Sequence, residues 1–392
     1  MVKEYRMSKA RLTFLNNSKQ PYPAWSMSLL KDAVEINPKT ESLPNQFVYI
    51  DLEAVQRGTL ISTKIYKKQD APSRAQRLLK ANDVLFQMVR PYQKNNYFFK
   101  LEGSLPTVSS TGYAQLRAKN NCQKFIYYTL HTEKFVRNVL DRCTGGTYPA
   151  INSSDLGEIV INIPCKEEQQ KIAALFTALD EKIACETKIV EKVKLIKKCC
   201  LQKIFNEEVH FRDSTPWGKT SFGAVATFVN GRAYAQDELL SHGKYLVLRV
   251  GNFFTSSDYY YSDLELDDDK YANDGDLLYA WSASFGPRIW HGGKVIYHYH
   301  IWKVIPKSID KNFLFYALQS DVDEMKCELN GGTMSHLTKS GIEGRVLKIP
   351  CEAEQKEIGE FLQLLDEKIA IASRRLEVLV RQKKSFLQQM FI

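Results

Sequence analysis

Two stretches of the chain set apolar side chains in a strict four-three spacing. One frame runs Ile172, Phe176, Leu179, Ile183, Glu186, Val190, Val193, Lys197, Cys200, Ile204; the other runs Ile358, Leu362, Leu365, Ile369, Ala372, Leu376, Leu379, Lys383, Phe386, Met390. A period of 3.5 kept for about four to five heptads predicts paired helices, because the stripe of a solitary surface helix drifts at 3.6. The frames agree position for position, down to a lysine at the same place in each. The two helices are therefore expected to pack on one another, with Phe176, Leu179, Ile183 and Val190 of one and Leu362, Leu365, Ile369 and Leu376 of the other in the seam. Each segment opens at a proline, Pro164 or Pro350, followed by acidic residues that suit the positive end of a helix dipole. Gly359 is the only interruption in the second segment. At 1.5 Å per residue, about forty residues make a rod of roughly 60 Å.

Outside these segments the periodicity changes. Short runs rich in β-branched and aromatic residues, Gln46–Asp51, Asp83–Val89, Lys244–Val250, Asp276–Ala280 and Lys294–Tyr297, are punctuated by Asn, Gly, Ser and Asp and predict strands. Two longer runs, Gln123–Leu140 and Lys311–Leu329, predict a helix ahead of each rod.

The chain repeats itself. Ile163-Pro164-Cys165-Lys166-Glu167-Glu168-Gln169 returns as Ile349-Pro350-Cys351-Glu352-Ala353-Glu354-Gln355, a shift of 186. Leu179-Asp180-Glu181-Lys182-Ile183-Ala184 is identical to Leu365-Asp366-Glu367-Lys368-Ile369-Ala370, and Gly145-Gly146-Thr147 matches Gly331-Gly332-Thr333, at the same shift and without a gap. Trp25 and Trp217 open the two copies. A self-similarity of this length means two copies of one unit. The expected fold is α+β: two similar, sheet-rich, mixed α/β domains related by a pseudo-two-fold and held apart by two long antiparallel coiled-coil helices. The expected boundaries are 1–163 and 209–349 for the domains, and 164–208 and 350–392 for the helices.

Composition narrows the function. No apolar window is long enough to span a membrane, and the charged start Met1-Val2-Lys3-Glu4 has no secretory character, so a cytoplasmic location is expected. The eight cysteines form no Cys-x-x-Cys pair, which argues against zinc and for reduced thiols. A net charge of +9 suits a polyanionic partner.

A catalytic constellation is not found. There is no Pro-Pro for an adenine methyltransferase pocket, no Gly-x-Gly-x-x-Gly, and the residue five before Gly218-Lys219-Thr220 is Asp213 where a phosphate loop needs glycine. Asp267-Asp268-Asp269-Lys270 reads as a solvated acidic turn, and the Asp-Glu-Lys at 180–182 and 366–368 as a solvated helix face. What remains is recognition. The first domain carries Arg74, Arg77, Lys80, Arg90, Lys94, Asn95, Asn96 and Lys100. After its own Asp276-Leu277-Leu278 the second carries Trp281, Ser282, Ser284, Arg288, Trp290, His291 and Lys294. Such side chains read base edges or clamp phosphates. Thr147 and Thr333 end glycine loops whose backbone amides can approach a phosphate or simply turn the chain.

The twin motifs Pro164…Glu168-Gln169…Leu179-Asp180-Glu181-Lys182-Ile183 and Pro350…Glu354-Gln355…Leu365-Asp366-Glu367-Lys368-Ile369 resemble those of the specificity subunits of Type I restriction-modification systems, over nearly the whole chain. The cysteine after each Ile-Pro is a small departure. The resemblance implies a non-catalytic DNA reader. Each domain would read one half of a bipartite, asymmetric target in double-stranded DNA, and the helices would set the spacer and dock two methyltransferase subunits. It further implies that S-adenosylmethionine and ATP with Mg²⁺ belong to the methyltransferase and restriction subunits, and that this chain binds no cofactor. A stand-alone methyltransferase or nuclease with an unfamiliar site, and a coiled-coil scaffold for proteins, are the alternatives.

Overall fold

A computed structural model of the chain describes residues 12–101, 103–211, 216–254, 256–282, 284–328 and 337–391. The chain divides into two compact units, Met1–Glu186 with Arg375–Ile392 as unit 1 and Thr187–Arg374 as unit 2.

The main strands of unit 1 are β1 (Val34–Ile36), β2 (Gln46–Ile50), β3 (Lys64–Lys67), β4 (Ala75–Leu78), β5 (Val84–Gln87), β6 (Tyr97–Phe98), β7 (Thr107–Ser110) and β8 (Tyr113–Ala118). They make two four-stranded sheets, β3-β2-β7-β4 and β1-β8-β5-β6. Only β7 and β2 run parallel. Helices α1 (Gln123–Thr129) and α2 (Glu133–Leu140) follow, and then the long helix α3 (Lys166–Phe205).

Unit 2 repeats the plan with β9 (Ala226–Asn230), β10 (Tyr245–Leu248), β11 (Tyr260–Ser262), β12 (Tyr271–Ala272), β13 (Leu277–Ser282), β14 (Ser284–Ile289), β15 (Val295–Tyr297) and β16 (Ile301–Pro306). The sheets are β11-β10-β15-β12 and β9-β16-β13-β14, again with one parallel pair, β15 with β10. Then come α4 (Lys311–Glu328) and the second long helix, α5 (Glu352–Met390).

Strand β5 reads as an unbroken apolar run because it is buried on both faces. Val84 and Phe86 point to the helices, joining Phe125, Phe135 and Phe176. Leu85 points the other way, to Ile50, Val55 and Tyr113. In β13 Leu277 and Tyr279 take the helix side and Leu278 the other.

The helical run expected over 123–140 is two helices. The Thr132 hydroxyl accepts from the Phe135 N–H at 3.2 Å and caps a new start, which ends α1 at Thr129. The long helices begin at Lys166 and Glu352, two residues after the prolines. Each proline carbonyl instead takes a side-chain bond at 2.9 Å, from Gln169 Nε2 to Pro164 and from Gln355 Nε2 to Pro350. The same glutamines accept backbone N–H bonds from Cys122 at 2.8 Å and Asp310 at 3.0 Å. The repeated Glu-Gln is thus a clamp joining each long helix to the segment that starts the shorter helix of its unit. Glu168, also buried, accepts from Trp25 Nε1 at 3.1 Å, and burial pushes its carboxyl above the usual range.

The seam follows the sequence frame. All ten positions in each long helix are buried or half-buried, and most of their neighbours are exposed. Inside unit 1 the first turns of α3 meet the last turns of α5. Phe391 stacks on Phe125 at 5.4 Å and lies 6.0 Å from Trp25 and 5.9 Å from Phe176. Inside unit 2 the last turns of α3 meet the first turns of α5: Leu201 and Ile204 share a core with Ile358 and Leu362, and Phe205 sits 5.4 Å from Phe313 and 6.3 Å from Trp217. The helices are antiparallel in both units.

Gly359 is where α5 presses on the start of α4. A Cβ there would stand 2.9 Å from Asn312 Cβ and 3.1 Å from the Phe313 nitrogen. In the Asp-Glu-Lys repeat Glu181, Lys182, Glu367 and Lys368 are exposed, as expected of a solvated face, and the aspartates depart from it. Asp180 and Asp366 are half-buried and bonded, Asp180 to Tyr128 and Lys383, Asp366 to Tyr316 and Lys197. Because a lysine occupies the matching seam position of the opposite helix, an aspartate one residue past the seam meets it.

Candidate nucleic-acid interface

In unit 1 the chain leaves β5 into a loop bracketed by two left-handed, non-glycine residues, Arg90 with φ 53° and Lys94 with φ 55°. Such conformations persist only where surrounding bonds fix them. Buried Gln87 supplies several. Its N–H donates to Asn96 Oδ1 at 2.9 Å, its Nε2 donates to Gln93 Oε1 at 2.9 Å, and its Oε1 accepts from the Asn95 N–H at 3.2 Å. The Arg90 N–H donates to the Pro149 carbonyl at 2.7 Å, and its guanidinium lies 4.2 Å over the exposed Tyr148 ring. The loop after β5 and the loop Gly145-Gly146-Thr147 are thereby brought together.

The remaining residues of the first basic stretch divide by environment. Arg74, Lys80, Lys100 and Thr147 are exposed. Lys94 bonds Glu133 at 2.9 Å and the His131 carbonyl, and Asn95 Oδ1 accepts from the Arg57 N–H at 2.9 Å. Asn96 is buried and serves the loop from within. Arg77 is half-buried on β4; burial lowers its pKa, and its Nε has no hydrogen-bond partner.

In unit 2 the corresponding strand turns straight back into β14, pairing Ser282 with Ser284. Trp281 is half-buried and stacks on Trp302 at 5.7 Å, and Ser282 is buried. Arg288 is exposed on β14, 5.5 Å over the Phe254 ring, and Lys294 is exposed, 3.7 Å over the Tyr271 ring. Trp290 Nε1 donates to the Gly293 carbonyl at 2.9 Å, and His291 is exposed beside Asp274. Thr333, with Gly331 and Gly332, lies outside the described residues.

The sequence frame had set Arg90 and its neighbours opposite Trp281 and its neighbours. Hydrogen bonding refines this: the Ile151 N–H donates to Met88 as the Leu337 N–H donates to Trp281, each at 3.1 Å, so Trp281 corresponds to Met88. A group that sequence reasoning passed over lies beside Trp281. His298, Tyr299 and His300 join β15 to β16, with Tyr234 and Arg232 next to them. The sequence reading stops at the strand Lys294–Tyr297, and the three consecutive rings that follow it are the signal it leaves unused.

Among the described residues there is no group of three or more His, Cys, Asp or Glu placed to hold a metal ion. Nor is any helix long and apolar enough to cross a membrane.

Residues 16–195 and 215–381 each match the family described as the Type I restriction modification DNA specificity domain. The chain belongs to this family. As a Type I DNA specificity subunit it carries two target recognition domains, and the part such a subunit plays is recognition rather than catalysis. Among curated relatives, the HindI specificity subunit of Haemophilus influenzae is 26% identical over 164 residues, which are 40% of this chain and 35% of that protein. The MjaVIII specificity subunit of Methanocaldococcus jannaschii is 24% identical over 383 residues, covering 88% of this chain and 85% of the relative. Among solved structures, the S subunit of a Type I system from M. genitalium gives a TM-score of 0.62 at 16% identity, covering 98% of this chain and 99% of that one. A chain from work on assembly and conformational transition of the type I R-M system gives 0.57 at 21% identity, covering 93% and 97%. Those two likenesses speak for the fold.

Proposed function

We propose that residues 1–163 and 209–349 are the two target-reading domains, each addressing one half of a bipartite, asymmetric site in double-stranded DNA. In the first domain the reading head is the joined pair of loops, with Arg90 held on Tyr148 and with Thr147, Arg74 and Lys100 on open surface. In the second it is the hairpin of β13 and β14 with Arg288 and Lys294. The observation that carries this reading is one scaffold used twice, with the same sheets and the same exits but different side chains at the exits. Selection for two different targets would produce that pattern.

The paired helices 164–208 and 350–392 set the number of unread base pairs and dock methyltransferase subunits. Ile189, Leu195, Ile196, Leu364, Ile371, Val378 and Val380 lie outside the seam and are exposed, which suits a helix surface that a partner covers. S-adenosylmethionine is held by the methyltransferase subunits, ATP and Mg²⁺ by restriction subunits, and the complex works in the cytoplasm. Coexpression with the methyltransferase subunit, followed by mapping of methylated adenines across a genome, tests the reading. A single two-part motif with a fixed spacer is expected, and methylation at unrelated sequences would refute it. In binding experiments, affinity for duplex DNA should fall steeply with salt, as phosphate contacts require.

A further inference from the structure

We propose that the second domain reads base edges of its half-site through the sheet corner His298-Tyr299-His300, backed by Trp281 and flanked by Arg232. This rests on the reading of that domain as a target reader.

The corner is the same piece of backbone in both units. In unit 1 β7 passes to β8 through Thr111 and Gly112: the Thr111 N–H donates to the Arg74 carbonyl at 2.9 Å and the Met88 N–H donates to the Gly112 carbonyl at 3.0 Å. In unit 2 β15 passes to β16 with the Trp281 N–H donating to the His300 carbonyl at 3.1 Å, the counterpart of the Met88 bond, and Ile301 lies opposite Ala280 as Tyr113 lies opposite Gln87. The Tyr299 N–H donates at 2.9 Å to the carbonyl of Arg232, which follows β9, a different strand from the one that Arg74 precedes. Tyr299 thus stands where unit 1 has Thr111, and His300 where it has Gly112. A corner kept in strand register while its side chains change from a threonine and a glycine to two rings is a place where recognition can diverge without disturbing the sheets.

The rings form one continuous chain of tilted, edge-on and stacked contacts. Tyr299 lies 3.9 Å from His300 and 4.4 Å from His298, and His300 lies 4.9 Å from Trp281, which stacks on the buried Trp302. Trp281 Nε1 donates to the Tyr299 carbonyl at 2.8 Å and fixes the turn. On the far side His298 stacks with Tyr234, whose ring carries Arg232 at 5.2 Å. Tyr299 remains 39% exposed, so the cluster presents a ring to the surface while its base is anchored in the core. Side chains held this way lose little freedom on binding. Burial, with His300 and Arg249 nearby, lowers the His298 pKa to about 4, so at neutral pH its ring is uncharged and carries one donor and one acceptor nitrogen. The Tyr299 ring with its hydroxyl and the uncharged His298, whose Nδ1 accepts from the His300 N–H at 3.4 Å, suit base edges and the thymine methyl group better than phosphates. Arg232, paired with Glu238 at 2.9 and 2.7 Å, is the cation on the rim.

The test uses the full chain in complex with its methyltransferase partner, and genomic methylation together with a randomised duplex library as the readout. Tyr299→Ala changes an exposed ring, and His300→Gly installs the residue that unit 1 already has there; thermal unfolding checks that both variants fold. Each is expected to relax preference at one or more base pairs of the second half-site by about tenfold and to leave the first half-site untouched. An unchanged motif, or a uniform loss of methylation at all sequences, would overturn the inference. A wild-type complex that selects no two-part motif would overturn the target-reading assignment itself. Relaxation of the first half-site by these variants would show that the assignment of halves to domains is wrong.

Discussion

Lys197, at a seam position of the first long helix, donates to both carboxylate oxygens of Asp366 on the second, at 2.7 and 2.8 Å. Tyr316 donates to the same aspartate at 2.7 Å. In the other unit Lys383 and Tyr128 do this for Asp180. A cation in a mostly apolar seam fixes register, because sliding either helix would leave the lysine without its carboxylate. Asp366 is 38% exposed, so water weakens the pair. Lys197→Met and Asp366→Asn should each cost about 1 kcal/mol, and the double variant less than their sum. Urea unfolding of the four proteins measures the coupling; strict additivity would mean the pair does not act as one.

The glutamine clamps are buried and fully used. Gln169→Ala and Gln355→Ala each strand a proline carbonyl and a backbone N–H. A loss of about 2 kcal/mol is expected for each, seen as a lower midpoint in thermal or urea unfolding. A loss under half that size would place the clamp's strength elsewhere.

Gly359→Ala should destabilise, against the helix propensity that favours alanine by about 1 kcal/mol. The close neighbours are the Asn312 Cβ, the Phe313 nitrogen and Asp310 Oδ1, which the Phe313 N–H holds in place, so overpacking of about 1–3 kcal/mol outweighs propensity. A circular-dichroism melt of the variant decides the sign.

Two imidazoles make stability fall in acid. Burial lowers His131 and His298 to about 4, well under the ordinary value. Below about 6.5 the unfolded chain binds protons that the folded chain refuses, so stability is lost as pH falls from about 6.5 towards about 4. His131 Nδ1 lies 2.7 Å from the Tyr127 carbonyl and donates to it as the neutral tautomer. Lys94 holds the Glu133 carboxyl below its usual range and adds to the trend. Unfolding midpoints across this window should fall less steeply in His131→Gln than in the parent protein; parallel curves would count against the histidine.

The sheet-rich and helical parts could be told apart from period alone, and the seam of α3 and α5 could be listed in advance, because the apolar frame is strict there. The break at Thr132 could not, since the residues on either side both favour helix and only a hydroxyl decides. The repeat was legible where it is identical in sequence, but it also continues where the sequences diverge. Asp83 accepts from the Lys80 N–H at 2.7 Å and pairs with Arg117, as Asp276 accepts from the Asn273 N–H at 2.8 Å and pairs with Lys303. Such likeness lies in hydrogen bonds and is nearly silent in residue identity. Among the candidate recognition residues, charge singles out Arg90 and Arg288, which the structure places respectively on a ring beside the loop Gly145-Gly146-Thr147 and exposed on β14. It could not foresee that Lys94 would bond Glu133, or that Asn96 would face inward.

The place of Phe391 in the core of unit 1, against Trp25, Phe125 and Phe176, bears on how the chain matures. Unit 2 is continuous in sequence, but unit 1 needs Arg375–Ile392, which the ribosome makes only after the whole of unit 2. At about 5–20 residues per second that is a delay of roughly 10–40 s. Through that interval Trp25, Phe125 and Phe176 are without the Phe391 ring they pack against in the finished unit. The unit translated first is therefore the one finished last.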